Sequence, residues 1–279
     1  MASPDSMARL SRGDEMQLFN VLQAAGYKPA EIVKLNNHRE VLEAMRVAML
    51  THPVFHLIHE IWTPLNDIVE IARGYDGVSG DQIDFMLKTA RENGLVDGFE
   101  AESPKNPLLA PVVVKNCETV PATLLFGREL MRQEWGEKYS EWEAAYAQGV
   151  DDKRVKPVEG APLFEPNKLT LQIVDFGANW NPLDGTVLKD VQAAQAGKLA
   201  GFEVIFAPSQ HPEWFRQMDG EKIPFAIAAA LLLSVPGRDE WSLSPSVWHG
   251  HDRARLDGCR VGDRFRSYAV PVRREFNKR

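Results

Sequence analysis

Three histidines and a glutamate fall close together at His52, His56, His59 and Glu60. On a helix turning about 100° per residue they point to about 0°, 40°, 340° and 80°, a single stripe. The apolar residues Val54, Phe55, Leu57, Ile58, Ile61, Trp62 and Leu65 point the opposite way. Spacings of three and four residues on one helix face are those with which histidines chelate zinc or iron. The order is not His-Glu-x-x-His, because Glu60 follows the last histidine. A solvated helix face carries the same residue types without any metal, and His52 then serves as an N-cap.

A second group is His249-Gly250-His251-Asp252. In an extended strand the two histidines point the same way and can share a metal with Asp252. That would suit a metal-dependent hydrolase, with His52, His56 and His59 joining if the two clusters converge. The longer His-x-His-x-Asp-His form is absent, and Gly250 between histidines equally suits a hairpin turn. The incomplete motif leads to the expectation of no cofactor and no stoichiometric zinc, iron or manganese.

Other chemistries lack their signatures. There is no Gly-x-x-x-x-Gly-Lys-Ser/Thr loop, no Gly-x-Gly-x-x-Gly following a strand and no Gly-x-Ser-x-Gly elbow. The two cysteines, Cys117 and Cys259, make neither a CxxC pair nor a zinc pattern, which suits free thiols in a reducing cytoplasm. No apolar run approaches the roughly 20 residues of a bilayer crossing. The first residues, Met1 to Asp14, show no secretory signal. A cytoplasmic protein with no membrane partner is therefore expected.

Binding residues are suggested by aromatics and charge. Trp180, Trp214, Trp241 and Trp248 all lie in the second half, and tryptophans commonly anchor binding surfaces. The net charge of −7 is unevenly spread. From Arg253 to Arg279 stand nine Lys/Arg and three Asp/Glu, a balance of +6, while the remaining 252 residues hold 23 basic and 36 acidic groups, a balance of −13. Arg253, Arg255, Arg260, Arg264 and Arg266 would serve a nucleic-acid site. Their interleaving with Phe265, Tyr268, Ala269, Val270 and Val272 instead suits a structural strand docked on the acidic body.

The elements that must position these residues change period near the middle of the chain. Helical spacing runs through Asp14–Ala25, Pro29–Leu35 and His38–Leu50. Another helix starts at Pro53, with a second start or kink at Thr63-Pro64 leading to Ala72. Ser79 with Gln82 has the form of a capping box for a helix ending at Gly94. Residues 103–121 read as an irregular connection with a short strand at Val112–Val114. A long helix is expected from Thr123 to Ala147. The charged, proline-containing stretch Asp151–Pro166 reads as a linker. Beyond it Lys168–Phe176 alternates as a strand, Val187–Ala196 and Pro212–Met218 read as helices, and Phe202–Ala207 as an apolar segment. Phe225–Leu233 reads as a central strand. Trp241–Trp248, Ala254–Val261 and Phe265–Val272 read as later strands.

This order of strand, helix, short helix and closing strands resembles the C-type-lectin-like fold and its formylglycine-generating-enzyme-like branch. The ending from Gly262-Asp263-Arg264-Phe265-Arg266 to Val270-Pro271-Val272-Arg273 is similar to that family's closing strand. The resemblance spans residues 168 to 273 and implies that the first and last strands pair, here with Leu169–Ile173 as the partner. It also implies a scaffold used for ligand or protein binding. The branch's oxidase activity does not carry over, because no paired catalytic cysteine is present. The whole chain also resembles bacterial proteins with a helical first half and this kind of ending, a likeness that implies no function.

The expected architecture is α+β: a helical domain over 1–150, a linker over 151–167 and a mixed α+β domain over 168–279. The expected function is that of a non-catalytic binding or adaptor protein. Its ligand or partner surface is placed at Trp180, Trp214, Trp241, Trp248, Arg264 and Arg266. The partner is a protein or small ligand in preference to nucleic acid, and a second copy of the chain is a further possibility. The alternatives are a metal-dependent hydrolase using His249, His251 and Asp252, and a nucleic-acid binder using the basic C-terminal segment.

Overall fold

The computed structural model describes residues 62–142, 146, 154–221, 223–235 and 241–276. All belong to one unit, His59–Arg279. The expected helices before Trp62, and with them His52, His56, His59 and Glu60, lie outside the described residues.

The described chain is α+β. Helix α1 (Leu65–Arg73) begins at Pro64, as the second start at Thr63-Pro64 suggested, while Trp62 lies outside it as a core residue. Helix α2 (Gly80–Glu92) has the complete capping box of Ser79 and Gln82. Helix α3 (Leu95–Glu102) has no counterpart in the sequence reading. Strand β1 (Leu109–Lys115) contains the Val112–Val114 run and is almost wholly buried. Helix α4 (Val120–Trp135) is capped by Thr119 and ends at Gly136, whose φ of 52° breaks the helix eleven residues before Ala147, where the long helix was expected to end. Strand β2 (Tyr139–Glu141) follows.

Strand β3 (Val155–Pro157) lies inside the expected linker and pairs with a later strand. Then come β4 (Leu169–Asp175), β5 (Thr186–Val187), helix α5 (Leu188–Gln195), helix α6 (Phe202–Gln210) and helix α7 (Pro212–Arg216). Helix α6 is apolar nearly all round and buried nearly all round, as such a helix must be. Its even apolarity is also why periodicity did not distinguish it from a strand. It packs on α4, β1 and the large sheet. At Gly127 of α4 a Cβ would lie 2.9 Å from the Phe206 ring, so only glycine permits this close crossing.

The remaining strands are β6 (Phe225–Ile227), β7 (Leu231–Leu233), β8 (Leu243–Gly250), β9 (Arg253–Arg260), β10 (Arg264–Phe265), β11 (Tyr268–Ala269) and β12 (Val272–Arg273). Strand β8 organises the large sheet. Strand β9 pairs along its full length, while β6 and β7 pair with it at Ser246–Val247 and at Leu243. The expected strand Phe225–Leu233 thus runs beside β8 but breaks at Ala228–Ala230. Ala228 donates its N–H to the Pro245 carbonyl, and Pro245 has no N–H to return.

The C-terminal segment is not one strand. Strand β10 pairs with β5, β11 pairs in parallel with β6, and β12 pairs antiparallel with β4 at Asp175 and Val174. The last of them meets β4 at Asp175 and Val174, beyond the expected partner Leu169–Ile173, and the three short strands serve three sheets. One core lies between the large sheet, the β1–β4 sheet and helices α4, α6 and α7, and a smaller one lies under α5 around Ile227, Cys259 and Val270.

The linker expected at 151–167 does not divide the described residues. Strand β1, from before it, pairs with β4, from after it, from Leu109↔Asp175 to Lys115↔Leu169. Strand β2 likewise pairs with β9. No helix among the described residues is long and apolar enough to cross a membrane.

Candidate binding surface

The His249–Asp252 motif forms the tip of the β8–β9 hairpin. Gly250 pairs with Arg253, and the two residues between them have φ of 52° and 61°. Two left-handed central residues make a turn whose twist suits the strands. The histidines consequently do not act as an extended pair. His249 lies against the rings of Trp135 and Phe215, at 5.6 and 6.0 Å, and burial lowers its pKa despite the nearby Asp252 carboxylate. His251 is exposed in the turn, and Asp252 is held by Lys138 at 2.6 Å, which lowers its pKa. Among the described residues no three His, Cys, Asp or Glu side chains gather as a metal site.

The four tryptophans part company. Trp214 is a correction: it is fully buried, with centroids 4.7 Å from Trp62 and 4.6 Å from Phe176, and so cannot present itself to a partner. Trp241 is half-buried with the Lys156 ammonium 4.5 Å from its ring. Trp180 donates its indole N–H to the Arg266 carbonyl at 2.8 Å, next to the exposed Arg264 and Arg266. The Arg264 guanidinium reaches the Asp184 carbonyl at 3.4 Å.

Trp248 stands in a row that crosses five strands. Ser140 on β2 faces Arg255 on β9, and Arg255 faces Trp248 on β8. Trp248 meets Phe225 on β6, and Phe225 faces Tyr268 on β11. Residues directly opposite one another share a sheet face, so register alone aligns this row. Every member is half-buried. The Arg255 guanidinium lies 4.8 Å from the Trp248 ring centroid, an attraction of cation and π face. The ring pairs Trp248–Phe225, Phe225–Tyr268 and Tyr268–Phe265 are 5.8, 5.1 and 5.5 Å apart and tilted by 48°, 67° and 66°. In the two T-shaped pairs the edge of one ring rests on the face of the other. A Cβ on Gly250 would fall 2.6 Å from the Trp248 ring, which fixes glycine there.

The polar atoms of this row are under-used. Trp248 Nε1, Arg255 Nε and Ser140 Oγ are closed off from solvent with no hydrogen-bond partner. Among the described residues Arg253, Arg255, Arg264 and Arg266 form no ion pair. Asp257 shares the face, with its Oδ1 accepting from the Gly258 N–H. Cys259, two residues beyond Asp257 on the same face, is buried beside Ser246 and Tyr268 in the smaller core. Burial pushes its thiol up to about 12, so it is neutral and unreactive at physiological pH.

A separate groove with a cavity volume of about 470 Å³ is lined by Asn93, Gln172, Lys198, Arg273, Arg274 and Phe276, among others. Its arginines are committed to carboxylates: Arg273 to the buried Glu203 and Arg274 to Glu102, each at 2.7 Å. The groove is thus a clasp holding the C-terminal segment, whereas Arg255 in the row has no carboxylate partner among the described residues. Of the residues singled out in the sequence, Trp248, Arg255 and Tyr268 lie in the row, and Phe265, from the segment carrying Arg264 and Arg266, touches it at Tyr268. Ser140 and Phe225 enter only through strand register. Comparison with family models, curated proteins and solved structures finds no match to this chain.

Proposed function

We propose that this chain is a non-catalytic binding protein whose ligand lies across the Ser140–Arg255–Trp248–Phe225–Tyr268 row. The observation that carries this reading is the in-register stacking of Arg255 on Trp248, with no carboxylate partner for the guanidinium among the described residues. A buried donor left unsatisfied costs about 1–3 kcal/mol, so the arrangement does not serve folding. What it presents is the half-buried Trp248 ring with the Arg255 guanidinium against it, a cation beside a π system that a ligand with rings or anionic groups would meet. The more reactive groups elsewhere, His211, Glu203 and Cys259, are buried within the structure.

The test is retention of the full chain on three immobilised probes: a single-stranded oligonucleotide, an acidic peptide and a neutral oligosaccharide. At least one should retain the protein, and Trp248→Ala with Arg255→Ala should abolish retention while the thermal melt stays cooperative. Retention on none of them, or equal retention of the double variant, would remove the row as a binding site.

A further inference from the structure

We infer that the groove at the C-terminal segment is a second binding site, which takes a small organic anion carrying a carboxylate or phosphate together with hydroxyl groups. It shares no residue with the row across the large sheet. Strand register assembles it. Strand β12 pairs with β4 at Arg273↔Val174, and Gln172 stands two residues along β4 on the same face. On the other side of β12 an antiparallel bridge joins Leu199 to Val272, and Ala200 donates its N–H to the Pro271 carbonyl. That alignment sets Lys198 opposite Arg273, and both side chains line the groove with Asn93, the C-cap of α2. The cavity of about 470 Å³ is of the size that holds a small organic ligand.

Like charges directly opposite on neighbouring strands destabilise their pairing, so Lys198 across from Arg273 does not serve folding. The Glu203 carboxylate leaves Lys198 without relief: one oxygen lies 2.7 Å from Arg273 Nε and the other accepts the Gly201 N–H at 2.9 Å. Glu203 is buried and so holds Arg273 in place, while the terminal nitrogens of that guanidinium form no hydrogen bond among the described residues. Arg274 gives one terminal nitrogen to Glu102 and keeps the other. Lys198 forms no ion pair among the described residues. The lining thus sets three cations against one acid, Glu275. An anion between Lys198 and Arg273 removes their repulsion, and a guanidinium meets carboxylate or phosphate oxygens in a matching fork. The side-chain amides of Asn93 and Gln172, without a hydrogen bond among the described residues, offer donors and acceptors to hydroxyls.

Isothermal titration calorimetry of the full chain with citrate, glucose 6-phosphate and uncharged glucose tests this. At least one of the two anions should bind, more weakly as salt is raised, and glucose should not. Lys198→Gln, at an exposed position with no partner to lose, should weaken binding about tenfold to a hundredfold, the loss of one charged hydrogen bond. Glu275→Gln, which removes the one acid of the lining, should strengthen it. Trp248→Ala should leave it unchanged, because the row is a separate site. Neither anion bound at about 5 mM, glucose bound as tightly as the anions, or an unchanged affinity in Lys198→Gln would each overturn the inference. Binding that is lost in Trp248→Ala would move the anion to the row and equally remove the groove as its site. Failure of the row to retain any immobilised probe leaves these expectations as they stand.

Discussion

At the scale of single residues, the buried polar groups decide most. His211 is fully buried between Thr63 and Pro111: its Nδ1 accepts the Thr63 N–H at 3.1 Å, so the proton sits on Nε2 and is donated to the Pro111 carbonyl at 2.7 Å. A second proton would face the Thr63 N–H. Burial lowers its pKa from the usual 6.5 to about 4. As pH falls from 6.5 toward 4, the unfolded chain binds a proton that the folded one refuses, so stability is lost across that window, by about 3 kcal/mol in all. Urea denaturation at pH 7, 5.5 and 4 should give a shallower decline for His211→Gln, although that variant is less stable at pH 7. An equal decline would assign the effect to other groups. Arg128 and Glu141 form a second such case. Their bidentate bonds of 3.1 and 2.7 Å join α4 to β2 at side-chain exposures of 6% and 17%. Glu141→Gln leaves a buried guanidinium without its counter-charge and should lose about 3–5 kcal/mol in the same measurement. None of these roles was legible in the sequence. His211 meets partners 100 and 148 positions away, and no local spacing records that.

At the scale of elements, local signals were read well and breaks were not. The Ser79–Gln82 box, the alternation at Leu169–Ile173 and the helix after Val187 correspond to α2, β4 and α5. Phe265–Val272 read as one strand because its residues suit a strand. It breaks because its successive parts find different partners, and because Pro271 has no N–H to continue a ladder. The row across the large sheet was illegible for a related reason: five short strands supply one residue each, and only their register brings those residues together. The consequence for stability is sharp. Removing everything after Gly262 strips partners from β5, β6 and β4 at once and takes away the fully buried Ala269 and Val270. It also removes Phe276, which covers Gly98 on α3 so closely that a Cβ there would lie 2.1 Å from the ring. The truncated chain should lose its cooperative thermal melt and aggregate through the bared strand edges. A soluble chain with an unchanged melt would make the segment a dispensable arm.

At the scale of the molecule, composition misplaced the division of the chain. A charged, proline-containing stretch between a helical half and a strand-rich half has the look of a linker. Yet β1 lies before that stretch and β4 after it, and they pair along the full seven residues of each. Strand β2 adds to β9, the Tyr146 hydroxyl donates to the Asp257 carbonyl at 2.9 Å, and α4 packs on α6 through Gly127. Among the described residues the two sides of the stretch therefore share one core, because the apolar faces of β1 and α4 are covered by residues that follow it. A break in the backbone there removes one covalent link and none of these contacts. The exposed turn at Glu159 and Gly160 is the place to make it. With a protease-specific cleavage sequence inserted between these two residues, the cut protein should elute from gel filtration as one species at the uncut volume. It should melt in one transition and separate into two pieces only in urea. Two fragments that elute apart without denaturant, each with its own cooperative melt, would show that the chain does divide at 151–167 and that the pairing of β1 with β4 is too weak to hold it together.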